Sequence, residues 1–124
     1  GEQRGVNQNP DGSTTYLFGP ERSSRPVEVV IEDNKVVFIK KRPAKNDLPT
    51  LDDYIKEFGN PDLSLFYEIS EFKAHIFLDD GLGVVSHERG DVYELRYFVP
   101  TTKEEFLQKW SGGLSDSPPQ DAHY

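Results

Sequence analysis

Two runs rich in Val, Ile and Phe, Val27 to Glu32 and Lys35 to Lys40, stand only two residues apart, at Asp33-Asn34. Parallel strands need a crossover of a dozen or more residues, so this spacing permits only an antiparallel hairpin. Asp and Asn also tolerate the positive φ that a two-residue turn demands. The same pattern recurs downstream. Leu65 to Ser70, Ala74 to Leu78, Gly83 to Glu88 and Val92 to Val99 are β-prone, with turns at Asp79-Asp80-Gly81 and Arg89-Gly90-Asp91. A shorter run, Thr14 to Phe18, is closed by Gly19-Pro20 and reads as the first strand. In the last run Tyr93, Leu95, Tyr97 and Val99 alternate onto one face. Val92, Glu94, Arg96 and Phe98 take the other, a mixed face that is expected to be partly covered.

Two segments break this period. From Leu51, apolar residues fall at Leu51, Tyr54, Ile55 and Phe58, one stripe of a helix. Thr50 caps it, Asp52 and Asp53 sit where the helix dipole favours carboxylates, and Gly59 with Pro61 ends it. After Pro100 the pattern repeats: Thr101 or Thr102 as cap, Glu104 and Glu105 in the first turn, apolar Phe106, Leu107 and Trp110, and Gly112-Gly113 as the stop.

The expected fold is therefore α+β: an antiparallel sheet of about six to seven strands with two short helices on one face. At 124 residues one domain is expected. Residues 14–114 form it, flanked by a disordered tail at 1–13, where Val6 is the only aliphatic side chain, and another at 115–124. Residues 50–58 match 102–110 in cap, acids, apolar positions and closing aromatic, so a tandem duplication of a hairpins-then-helix unit, 14–62 and 63–114, is also expected.

The helix ending Glu57-Phe58-Gly59-Asn60-Pro61-Asp62, which leads into antiparallel strands, resembles the small outer-membrane assembly lipoproteins, the SmpA/OmlA family. Helices of that family close on a similar glycine-x-proline turn, and the hairpin turn Glu32-Asp33-Asn34-Lys35 is similar to theirs as well. The resemblance implies a fold like that of β-lactamase inhibitor protein and an exported, lipid-anchored envelope protein. The chain departs from the pattern in having no lipid-bearing Cys and no glycine-methionine-threonine lead into the helix. Without Met at its start, it reads as a processed or truncated form, and any signal peptide or lipid-bearing Cys would have been cut away with the missing segment.

Chemistry-bearing patterns are sparse. With no Cys, disulfides, thiolate metal sites and a cysteine nucleophile are excluded. His75 and His87 lie in strands near Asp79, Asp80 and Glu88, but without metal-motif spacing, and they read as half-exposed strand residues; no metal and no cofactor are expected. Gly81-Leu82-Gly83 lies beside two acids that would repel phosphate, and no Gly-x-Ser-x-Gly elbow exists. Arg89-Gly90-Asp91 spells an adhesion tripeptide but is also simply a good turn. Lys40-Lys41-Arg42 with Lys45 is the one basic cluster, a candidate contact for an acidic partner. A net charge of −8, from 22 acidic and 14 basic residues, argues against nucleic acid and anionic membrane surfaces.

Aromatic residues are abundant for a small core. Phe66, Tyr67, Phe72, Tyr93, Tyr97 and Phe98 are the candidate interaction surface on the sheet. The function expected from these readings is a non-enzymatic protein-interaction or scaffolding module with a protein partner. A small apolar-ligand-binding protein and, last, a His-dependent hydrolase are the alternatives.

Overall fold

The computed structural model describes residues 3–19, 27–42, 49–67, 72–87 and 91–116. Among these residues nine strands form one antiparallel sheet: β1 Gln3–Gln8, β2 Thr14–Phe18, β3 Val27–Glu32, β4 Lys35–Lys41, β5 Leu63–Tyr67, β6 Phe72–Phe77, β7 Leu82–His87, β8 Val92–Phe98 and the short β9 Leu114–Ser115. Helix α1 spans Leu51–Phe58 and helix α2 Lys103–Lys109. Across the sheet the order is β1-β2-β3-β4-β8-β7-β6-β5-β9. Two four-strand meanders, each followed by a helix, thus meet at a β4–β8 seam in which Phe38 faces Phe98 and Lys40 faces Arg96.

The tight turns are made as their residues require. Asp33 and Asn34 both have positive φ, 52° and 63°, which matches the twist of the β3–β4 hairpin. Both helix caps are present: Thr50 and Asp53 bond reciprocally, and the Thr102 side chain accepts from the Glu105 amide. The acid pairs of both helices lie in first turns, as expected.

Three expectations are corrected. The stretch read as a disordered tail contains β1, which pairs with β2 and adds an edge strand to the sheet. Sequence composition hides it because backbone hydrogen bonds to β2, and not a row of apolar side chains, hold it there. The helices also do not share a face. Successive strand residues point to opposite sides, and α1 packs Leu51, Tyr54, Ile55 and Phe58 on Phe77, Leu82, Val84 and Leu95. Phe106, Leu107 and Trp110 of α2 pack instead with Ala74, Ile76, Val85 and Phe98. The 52-residue offset therefore aligns the helices in sequence but not their placement. Finally, Val85 faces Glu94 while its neighbour Ser86 faces Val92, so Tyr93 is the extra residue of a bulge. It packs with Tyr67 and Phe72 on the α2 side, and Val92 packs on the α1 side, the reverse of strict alternation.

Beneath α2 lies a charged pair. Arg96 and Glu94 are each only 2% exposed. Arg96 Nε donates to Glu94 Oε2 at 2.7 Å, Nη1 to the Trp110 carbonyl at 2.9 Å and Nη2 to the Gly112 carbonyl at 2.8 Å. Tyr67 Oη donates to the other Glu94 oxygen at 3.4 Å. Desolvating a guanidinium is tolerable only with partners of this number and geometry. The arrangement ties the end of α2 to the centre of the sheet.

Replacing Arg96 by Met leaves Glu94 buried without its counter-charge and should cost about 3–5 kcal/mol in urea unfolding, with the Glu94→Leu/Arg96→Met double variant recovering part of that loss. A single-variant cost below about 1 kcal/mol would show that the pair does not hold α2. At Gly81, φ is +63° and a Cβ would stand 2.1 Å from the Phe98 carbonyl oxygen. Gly81→Ala should lower stability by about 1–3 kcal/mol in the same assay, and a neutral result would contradict this close approach.

Candidate functional site

The two faces of the sheet differ in what covers them. On the α1 side the helix lies over β6, β7 and β8. On the same side of β2, β3 and β4 the side chains are Tyr16, Phe18, Val29, Ile31 and Ile39, all half-buried, bordered by Val6, Val36 and Tyr97 at 48%, 52% and 37% exposure. Among the described residues no helix covers them. Tyr16 and Phe18 lie side by side at 6.3 Å between ring centres. Lys41 is the one charge of β4 on this side, its ammonium 5.5 Å from the centre of the Tyr97 ring. Burial holds the Tyr97 and Tyr54 hydroxyls above their ordinary pKa, with Tyr97 and then Glu57 as further causes at Tyr54, so the edge of α1 runs into this apolar surface.

A cleft of 390 Å³ opens on the α2 side, between the β1–β2 turn, strands β3 and β4 and the end of α2. Asn9, Asp11, Thr15, Glu28, Lys40, Phe38 and Trp110 line it, with Arg96 at its base. Trp110 stacks on Phe38 at 4.7 Å and an interplanar angle of 7°. Across the opening, the Asp11 carboxyl is held below its ordinary pKa first by hydrogen bonds from Ser13 and more weakly by the Lys109 ammonium. The lining is mixed, unlike the enclosed apolar cavity that an apolar-ligand protein calls for.

The six aromatic residues proposed from sequence do not form one surface. Tyr67 and Phe98, 4% and 6% exposed, belong to the core under α2. Phe72 and Tyr93 stack on each other at 4.3 Å on that same side, half-buried. Phe66 and Tyr97 face the α1 side, three strands apart in the sheet order. Only Tyr97 adjoins the uncovered strands. The residues that do form that surface, on β2, β3 and β4, read in sequence simply as strand formers; nothing in their spacing says which faces lack a helix.

His75 and His87 do not converge. His75 pairs with Val84 and His87 with Phe72, and by alternation they point to opposite faces. His75 Nδ1 lies 3.1 Å from Ser64 Oγ, and the His87 ring meets Phe72 edge-on. Among the described residues no group of three or more His, Asp or Glu could hold a metal ion. The basic run divides as well: Lys40 pairs with Glu28 at 3.7 Å and Arg42 lies over the Tyr93 ring, whereas Lys41 turns to the other side. Lys45, Arg89 and Gly90 fall outside the described residues. Among the described residues no helix is long and apolar enough to cross a membrane. Comparison with known proteins finds no family model, no curated relative and no solved structure that matches this chain.

Burial, with Lys73 as the lesser cause, holds the His75 pKa below its ordinary 6.5. The unfolded chain then binds the proton more readily than the folded one. This contribution to stability is complete above about pH 6.5 and is lost as pH falls through the lower, folded-state value. Unfolding titrations between pH 7.5 and 5 should show a shallower acid loss in His75→Gln than in the wild type; identical slopes would exclude the histidine as a source.

Proposed function

We propose that this chain is a non-enzymatic protein-interaction module that receives an amphipathic helix of a basic partner on the β2–β4 half of its α1 face. The observation carrying this reading is the apolar surface around Tyr16, Val29, Ile31 and Ile39, which no helix among the described residues covers. Contiguous exposed apolar area on a water-soluble surface marks sites that are covered in use. The next strands on the same face are already covered by a helix, α1, through a stripe of Leu51, Tyr54, Ile55 and Phe58. A second helix laid beside it meets the same kind of side chains and the same layer geometry. Its polar side would face a protein of net charge −8 and the exposed acids Asp52, Asp53 and Glu57 of α1, which favours lysine and arginine there. An envelope setting accords with the resemblance of the Phe58-Gly59-Asn60-Pro61 turn to the small assembly lipoproteins. A duplicated hairpins-then-helix unit accords with the order of elements.

The test uses a designed Leu/Lys amphipathic helix and its Leu/Glu counterpart as probes, titrated by anisotropy. The basic peptide should bind at least about tenfold more tightly, and the charge-neutral Val29→Ser/Ile39→Ser variant, checked for folding by circular dichroism, should lose that binding. Equal binding of the two peptides, or binding that survives the double substitution, would sink the proposal. Sedimentation showing a dimer that the same substitutions disperse would assign the surface to a second copy of the chain instead.

A further inference from the structure

We propose that the cleft on the α2 side binds a neutral saccharide, seating one pyranose ring between the Trp110 ring and the polar side chains of the β1–β2 turn and β3–β4. The inference is independent of the partner-helix reading, because the cleft opens on the other face of the sheet.

Charge comes first. Glu28 and Lys40 pair across neighbouring strands at 3.7 Å, and the acid Asp11 and the base Lys109 both line the space. The Arg96 guanidinium is committed to Glu94 and two carbonyls. With Glu94 beneath Arg96, the acids and bases of the lining are equal in number, so neither a phosphate-bearing nor a cationic ligand is favoured. Both donors and acceptors nevertheless line the space. Asn9 Nδ2 donates to Ser13 Oγ at 2.9 Å and Thr15 Oγ1 at 2.8 Å, which uses both amide hydrogens and leaves the amide oxygen to accept a hydroxyl. Lys40 and Glu28, a third exposed, can donate and accept in turn. Beside this polar wall stands Trp110, one face of its ring against the buried Phe38 and the opposite face turned away from it. A ligand that satisfies both sides has a rim of hydroxyl groups and one face of C–H bonds, which carry slight positive charge toward the negative π face of a ring. A pyranose has that shape. The 390 Å³ volume falls in the lower part of the range for small-ligand sites, about 300–1,000 Å³.

Trp110 is the only tryptophan of the chain, so its fluorescence reports on the cleft alone. Titrations with glucose, galactose, mannose and N-acetylglucosamine and with their β-1,4-linked dimers should give a saturable change for at least one sugar, with a Kd on the order of 1 mM. A dimer that binds more tightly than its monomer identifies a glycan chain, and equal affinity a single ring. Glu28→Ala and Lys40→Ala, folded by thermal melt, should each weaken binding by about tenfold. Val29→Ser/Ile39→Ser should bind the sugar unchanged, which keeps this result separate from the peptide experiment. The proposal is overturned if no sugar gives a saturable change, if both alanine variants bind as the wild type does, or if inorganic phosphate or adenosine monophosphate binds in place of the sugars.

Discussion

One guanidinium decides how the last helix of this protein sits on the sheet. Arg96 belongs to β8, the strand that carries the seam, and its three hydrogen bonds reach Glu94 on its own strand and the carbonyls of Trp110 and Gly112 beyond α2. Helix ends leave carbonyls that need donors, and a buried arginine needs acceptors. Each need meets the other here. Gly83, directly opposite Arg96 on β7, leaves room for the arginine stem: a Cβ there would stand 3.5 Å from Arg96 Cβ and 3.2 Å from Ile76 Cδ1. With α2 held in this way, Trp110 comes to rest on Phe38 of the first meander. The wall of the cleft is thus a by-product of satisfying one charge.

The sheet separates two kinds of surface. Its α1 side is apolar where no described helix covers it, and its α2 side holds polar groups arranged around an aromatic stack. Alternation along each strand is what keeps them apart: Ile39 and Lys40 are adjacent in the chain yet serve opposite faces. A single strand, β4, therefore contributes to both surfaces without either chemistry intruding on the other.

Much of this was legible from residue order, and the rest was not, for reasons that can be named. Asp33-Asn34, the Thr50 and Thr102 caps and the apolar stripe of α1 act through their immediate neighbours, and each is where local physics puts it. The strand at Gln3–Gln8 escaped because pairing, unlike amphipathic burial, leaves little trace in side-chain type. Parity misled at Tyr93, where one bulged residue exchanges the faces of Val92 and Tyr93. The opposite placement of the two helices is set by sheet packing, to which a capped amphipathic pattern is blind. Glu94 and Arg96 could be seen on a mixed face, and that face is indeed covered, but nothing local announces that both charges are buried. Asn9 and Asp11 lay in a stretch with a single aliphatic side chain, Val6, so their place beside the cleft was invisible.

The seam has a further consequence, a kinetic one. Within each meander, strands pair with their neighbours across short connections, and such contacts can form early. Phe38 and Phe98, by contrast, stand sixty residues apart in the chain. Their pairing repays the entropy of closing so long a loop only after both meanders have taken shape. The protein is in this sense two local folding problems and one docking step, and the docking step carries the waiting time.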